Sequence, residues 1–162
     1  MFKKINIGVL GIGYVGLPLS LSFAKKYNLI AYDSNVDRIN ELKNNIDKNN
    51  EFNKNDFIVV KKNIFFSSHA DDLSNCNIFI ITVPTPINQN KKPDLKYLNK
   101  ANKIVGKYIK NKNIVVYEST VYPGLTEEHC APMLEKISKL KFKNTNNSSK
   151  LKNNYFYCGY SP

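Results

Sequence analysis

Three glycines and one acid carry the first chemistry legible in this sequence. Gly11, Gly13 and Gly16 stand in the spacing G-x-G-x-x-G, and Asp33 follows roughly 20 residues later. Gly11 permits a tight turn, Gly13 leaves bare backbone that a diphosphate can approach, and Gly16 lets the next element pack closely on its neighbours. Tyr14 and Val15 lie within the same turn. A helix that begins at the last glycine presents unpaired N–H groups and a partial positive charge, both suited to a pyrophosphate. Asp33 can accept hydrogen bonds from both hydroxyls of an adenosine ribose and repels a 2′-phosphate. The pattern therefore predicts a dinucleotide site that takes NAD in preference to NADP.

The elements around these residues have the form such a site needs. The apolar run Ile5 to Leu10 has strand length and ends at Gly11. A segment with helical spacing follows, with Val15, Leu19, Ser22 and Phe23 as its apolar stripe and Pro18 in the first turn, where a missing N–H costs little. A second strand, Leu29 to Tyr32, delivers Asp33. Ile7 to Ala24 carries no charge and invites a membrane-spanning reading. Its four glycines, a proline and two serines argue against that, as does the charged amphipathic chain beyond it.

Downstream the alternation continues. Val36, Ile39, Leu42 and Ile46 mark a helix face, Asn44 to Asn55 reads as a polar loop, and Asp56 to Val60 fits a helix or a strand equally well. Asn63 to Ser67 is a third strand and Ala70 to Ser74 a helical turn. Asn77 to Val83 is continuously apolar, as expected of a strand buried on both faces. It runs into Pro84-Thr85-Pro86, which stops strand pairing and fixes an extended loop. Open α/β sheets bind ligands at this end of their strands, which makes Thr82 and Thr85 candidate cofactor contacts. A helix from Asp94 uses Leu98, Ala101, Val105 and Tyr108. Asn113 to Tyr117 is a fifth strand, ending in the polar loop Glu118 to Gly124. Thr126, Glu127 and Glu128 suit a helix N-terminus. Cys130, Met133, Leu134 and Ile137 continue the stripe, and Pro132 predicts a kink or a late helix start. Lys141 to Asn154 reads as a mobile loop, and Tyr155 to Tyr160 as the last strand. About six strands alternating with helices predict an α/β, doubly wound parallel sheet, a Rossmann fold, as a single domain over residues 1–162.

Composition narrows the function classes. A hydrophobic content of 42% is ordinary for a globular chain of 162 residues. The opening Met1-Phe2-Lys3-Lys4 leads into a strand and not into a signal-peptide core, which predicts a cytoplasmic protein. Cys76, Cys130 and Cys158 lack metal-site spacing and read as reduced, buried thiols, with no metal expected. The net charge of +11 raises the question of nucleic acid, but the lysines are scattered among asparagines and no nucleic-acid-binding signature is present. The charge reads as a solvated surface that still attracts an anionic nucleotide. Arg38 is the sole arginine, just past Asp33 at the start of the next helix. Its planar fork and stacking face suit an adenine or ribose lying beyond Asp33; the alternative is a surface arginine of no special role.

Taken together, GIGYVGLPL, YDSNVDRI, ITVPTPI, PDL, VVYESTVYPGLTEE and the closing GYSP resemble the nucleotide-sugar 6-dehydrogenases, the UDP-glucose/GDP-mannose dehydrogenase group. The VYESTVYPG form is most similar to the bacterial branch acting on UDP-N-acetylhexosamines for surface polysaccharides. The resemblance covers essentially the whole chain, with the motifs in the family's order. It implies oxidation of a sugar C6 alcohol to a carboxylate with NAD, through an aldehyde captured by a cysteine and a thioester that water cleaves. By resemblance Gly11, Gly13, Tyr14, Val15 and Gly16 form the pyrophosphate turn. Asp33 and Arg38 meet the adenosine ribose, Thr85 follows the fourth strand, and Thr120 lies near the nicotinamide and helps position the catalytic water. Glu51 matches a recurrent acid of the family, with no role attached.

The chain also departs from the pattern. The family's GYSP segment runs on into an assisting glutamate, its nucleophilic cysteine sits in a later motif, and a linking helix and a second domain for the UDP-sugar follow. None of these is found here, so the expectation is an amino-terminal, NAD-binding part of a longer dehydrogenase. Its expected partners are a substrate domain and a second copy of the full-length chain, with no nucleic acid and no membrane. Such a part would bind NAD without turning over sugar. The alternative from another class is a standalone NAD-sensing or partner-binding module without catalysis.

Overall fold

The structure is a computed structural model and describes residues 4–87, 92–119, 122–147 and 151–161. Strand β1 (Asn6–Leu10) passes through the glycine turn into helix α1 (Gly16–Ala24), and β2 (Asn28–Tyr32) leads to α2 (Val36–Lys43) and α3 (Lys54–Val60). Then come β3 (Ile64–Ser67), a 3-10 turn (Ala70–Asn75), β4 (Ile78–Ile81), α4 (Lys96–Tyr108) and β5 (Ile114–Tyr117). A π-turn (Thr126–Cys130) runs into α5 (Ala131–Ser138), and β6 (Lys141–Phe142) and β7 (Tyr155–Tyr160) follow.

The strands form one seven-stranded sheet in the order β3-β2-β1-β4-β5-β7-β6. Every pairing is parallel: Ile7 lies between Leu29 and Ile78, and Val115 between Phe79 and Cys158. The order reverses between β1 and β4, so the crossovers leave to opposite faces there and open a crevice at the strands' carboxyl ends. Two apolar layers enclose the sheet. On one face Leu17, Leu21, Leu29, Ile39, Leu42 and Phe57 close over Val9. On the other, Leu98, Val105 and Leu134 pack with Phe79, Tyr117 and Phe156. This is the doubly wound α/β architecture predicted from the alternation.

The details differ from expectation in three places, and a further one, left open between helix and strand, is decided. Helix α1 buries Gly16, Leu17, Ser20, Leu21 and Ala24, whereas Val15 is 48% exposed, so the Val15–Leu19–Ser22–Phe23 stripe is not the packed face. Nearly every position of this helix is apolar, so periodicity cannot set its phase; the close approach required at Gly16 does. Second, the segment expected as a loop from Lys141 to Asn154 contributes strand β6, parallel to β7. Its chain is shaped by Asn144, whose Oδ1 accepts the amides of Asn146 and Asn147, both at 3.1 Å. Third, Asp56 to Val60 is helical. Asn53 caps α3 by accepting the amide of Asn55 at 2.9 Å, and Asp56 returns the bond by accepting the Asn53 amide at 2.8 Å. Fourth, α4 starts at Lys96, whose amide is capped by Asp94 at 2.9 Å. Pro132 falls in the first turn of α5, which begins late, after the π-turn, as its position predicted.

Candidate functional site

The glycine turn is built for close backbone approach. Gly11 adopts φ +98°, and its amide bonds to Tyr32 O at 2.9 Å, tying β1 to the end of β2. A Cβ on Gly16 would lie 1.9 Å from Gly11 O and 2.7 Å from Thr82 Oγ1. Gly16 is therefore required by the protein itself. Gly13 is not: a Cβ there would meet nothing within 4 Å. The space over Gly13 is open. Among the described residues, the amides of Gly13, Tyr14 and Val15 make no backbone hydrogen bond. Helix α1 also has no side-chain cap and no acid in its first turn, so its positive end is left uncompensated. Tyr14 is 69% exposed at the tip of the turn.

Asp33 is fixed at the end of β2. Its Oδ2 accepts the Ile12 amide at 2.8 Å and its Oδ1 accepts the Asn35 amide at 2.9 Å. Each oxygen retains a further lone pair for a hydroxyl donor. Arg38, one turn into α2, donates from Nε to Ile12 O at 2.9 Å. Both polar groups of Ile12 are thus held, one by each residue. Arg38 Nη1 pairs with Asp47 at 2.9 Å and with Glu41, while Nη2 is buried without a partner among the described residues. Burial pushes the Asp47 carboxyl up, but the Arg38 guanidinium and the amides of Glu51 and Asn49 outweigh it, and its pKa falls below the usual aspartate value. For Glu41, burial is likewise outweighed by Arg38 and by the Lys48 amide and ammonium, and the net shift is downward.

Beside the turn lies a cleft of about 440 Å³. Gly11, Tyr32 and Asp33 form one side, Val83 and Pro84 the other, and Tyr97, Ala101 and Ile104 of α4 close it with Lys100 at the margin. The α4 residues recur at i, i+4 and i+7, one apolar line along the helix. An apolar slot ending in a carboxylate suits a flat base attached to a ribose.

The remaining sequence-predicted residues divide. The Thr82 hydroxyl lies 3.0 Å from Leu10 O and 2.6 Å from Gly11 O, so it braces the turn and is not turned to a cofactor. Thr85 is half-buried on the loop after β4. Thr120 lies outside the described residues. Its neighbour Ser119 is buried and donates from Oγ to Val83 O at 2.6 Å, which ties the loops after β4 and β5 together. The glycines, Asp33 and Arg38 come together around one turn.

Sequence reasoning missed Asp47, Ser119 and the cleft face of α4. The signal for the last was available, since Tyr97 and Ile104 each flank a core position. Asp47 gave none, standing among asparagines and lysines in a segment with no periodicity.

The residues present fit a dinucleotide: open space over Gly13, uncapped amides at α1, a carboxylate with spare lone pairs, an uncommitted guanidinium nitrogen and an apolar slot. Fold and site together define a dinucleotide-binding Rossmann domain. The sequence matches the NAD-binding domain of the UDP-glucose/GDP-mannose dehydrogenase family over residues 5–157, and the chain belongs to that family, with NAD as its cofactor. It is 45% identical over 160 residues to a UDP-N-acetyl-D-glucosamine 6-dehydrogenase of Pseudomonas aeruginosa, covering 99% of this chain and 35% of that protein. It is 48% identical over 157 residues to Protein CapL of Staphylococcus aureus, covering 97% of this chain and 34% of that one. The structure superposes on UDP-D-ManNAc dehydrogenase from Pyrococcus horikoshii with a TM-score of 0.83 and 28% identity, over 98% of this chain and 36% of the other. The chain spans about a third of the length of the curated relatives it matches. Among the described residues no helix is long and apolar enough to cross a membrane, and no cluster of His, Cys, Asp and Glu is arranged to hold a metal ion.

Proposed function

We propose that this chain is the cofactor-holding part of a UDP-N-acetylhexosamine 6-dehydrogenase that makes a uronate for surface polysaccharide, in the cytoplasm. The observation that carries the cofactor assignment is the bare, unobstructed backbone at Gly13 beside the uncapped N-terminus of α1. The name of the Pseudomonas aeruginosa relative supports the substrate class. The amides of Gly13, Tyr14 and Val15 would hold the pyrophosphate. Asp33 would bind the adenosine ribose, with Arg38 behind it, and Thr85 and Thr120 would lie toward the nicotinamide end. When bound, NAD supplies the hydride acceptor for oxidation of an alcohol carbon.

The covalent half of the chemistry needs a thiolate, and the thiols here are not suited to supply one. Burial raises the pKa of all three: Cys76 is pushed up to about 12, and Cys130 and Cys158 are also raised. A nucleophile, a sugar site and a dimer contact would come from other parts of a longer protein. On this reading the 162-residue chain binds NAD and does not oxidise sugar.

Calorimetric titration with NAD, NADP, UDP-N-acetylglucosamine and UDP-N-acetylgalactosamine tests the proposal. The expected result is saturable NAD binding, weaker NADP binding and no heat with either sugar nucleotide. Sugar oxidation by the purified chain would contradict the division of labour, and absence of NAD binding would contradict the site.

A further inference from the structure

An arginine near the adenosine ribose is the usual means of accommodating a 2′-phosphate, and so of accepting NADP. Arg38 stands beside Asp33 in that position, yet it is not a free cation. Its Nη1 faces two carboxylates, Asp47 at 2.9 Å and Glu41, with side-chain exposures of 0% and 9%. Asp47 is held firmly in turn. Its oxygens accept the amides of Asn49 at 3.2 Å, Glu51 at 3.0 Å and Phe52 at 3.3 Å. In the planar guanidinium, the nitrogen left without a partner, Nη2, shares an edge with Nε, which is bonded to Ile12 O in the glycine turn. The arginine is thus turned so that its charge is consumed on the loop side, and a single neutralised donor remains on the turn side.

Resting on the cofactor reading above, we propose that Asp47, seconded by Glu41, is a specificity-determining residue: by pairing with Arg38 it prevents that arginine from recruiting a 2′-phosphate, and so reinforces the choice of NAD. Asp33 rejects the phosphate directly. Asp47 acts through Arg38, from the loop between α2 and α3, outside the glycine motif. Removing its charge leaves a guanidinium balanced by Glu41 alone, next to the place a 2′-phosphate would occupy.

Dissociation constants for NAD and NADP, measured by calorimetry on the wild type, Asp47→Asn, Arg38→Ala and the double variant, test this. In Asp47→Asn the NADP-to-NAD ratio of dissociation constants should fall by about tenfold. In the Arg38→Ala background the same substitution should leave the ratio unchanged. A fall in both affinities with the ratio constant would show a merely structural role and overturn the proposal, as would a ratio change that persists without Arg38. Should Asp47→Asn melt below the assay temperature, Glu41→Gln carries the same expectation with a smaller change in ratio. A wild type that binds neither nucleotide would instead refute the underlying site.

Discussion

Asp33 and Ile12 are joined by a bond of 2.8 Å from the Ile12 amide to the Asp33 carboxylate, across 21 residues of sequence. On the proposed reading, the acid that would meet the ribose also anchors the turn that would receive the diphosphate. The two halves of the proposed site are one hydrogen-bonded unit, and substitution of Asp33 should be felt in both. Asp33→Ala should weaken NAD by about tenfold to a hundredfold, the value of a lost hydrogen bond to a charged group, and narrow the gap to NADP. It should also lower the melting temperature, because the Ile12 amide loses its acceptor. Competition binding with NAD and NADP, paired with thermal melts, checks both; an unchanged preference would refute the ribose assignment.

Two glycines of the same motif should fail in different ways. Gly16→Ala places a Cβ 1.9 Å from a backbone oxygen and should destabilise the fold by about 1–3 kcal/mol or more. A Cβ at Gly13 would meet nothing within 4 Å, so Gly13→Val should leave stability largely intact while NAD binding is lost. Urea melts and NAD titrations on the two variants separate the effects.

Asp47 should make stability depend on acid pH in a defined direction. Its pKa is lowered in the folded chain, so its contribution is fully present above the unfolded value of about 3.9 and is lost as pH falls through the folded value. Asp47→Asn should therefore cost about 1.5–3 kcal/mol at neutral pH, and the deficit should shrink steadily below about pH 4. Denaturant melts of both proteins across that range read the gap.

Much of this was legible because the site is local. Gly11, Gly13, Gly16 and Asp33 lie on consecutive elements, and each answers to a steric or electrostatic demand that one sequence displays. Arg38 was legible as an exception in a lysine-rich chain, but its engagement with Asp47 was not. That pairing depends on how the Asn-rich loop folds back, and no periodicity encodes it. Thr82 shows the opposite failure: its place at a strand's carboxyl end suggested a ligand contact, while the nearby carbonyls of Leu10 and Gly11 take its hydroxyl. Strand β6, with two residues, is too short to leave a pattern.

Inside the sheet layer, the Tyr117 hydroxyl donates to Asn102 Oδ1 at 2.6 Å in full burial. Tyr117→Phe alone should cost about 1–3 kcal/mol, since it strands a buried acceptor, whereas pairing it with Asn102→Leu should recover most of that. Denaturant melts of the single and double variants decide this.

The central claim is that a diphosphate rests on the bare amides at the start of α1 while Asp33 holds the adjoining ribose. Amide nitrogen–proton correlation spectra recorded during titration with NAD test it most directly. Saturable shifts at Gly13, Tyr14, Val15 and Asn35, absent in Gly13→Val, are the expected result. Shifts confined to residues remote from the glycine turn, or none at saturating NAD, would contradict it.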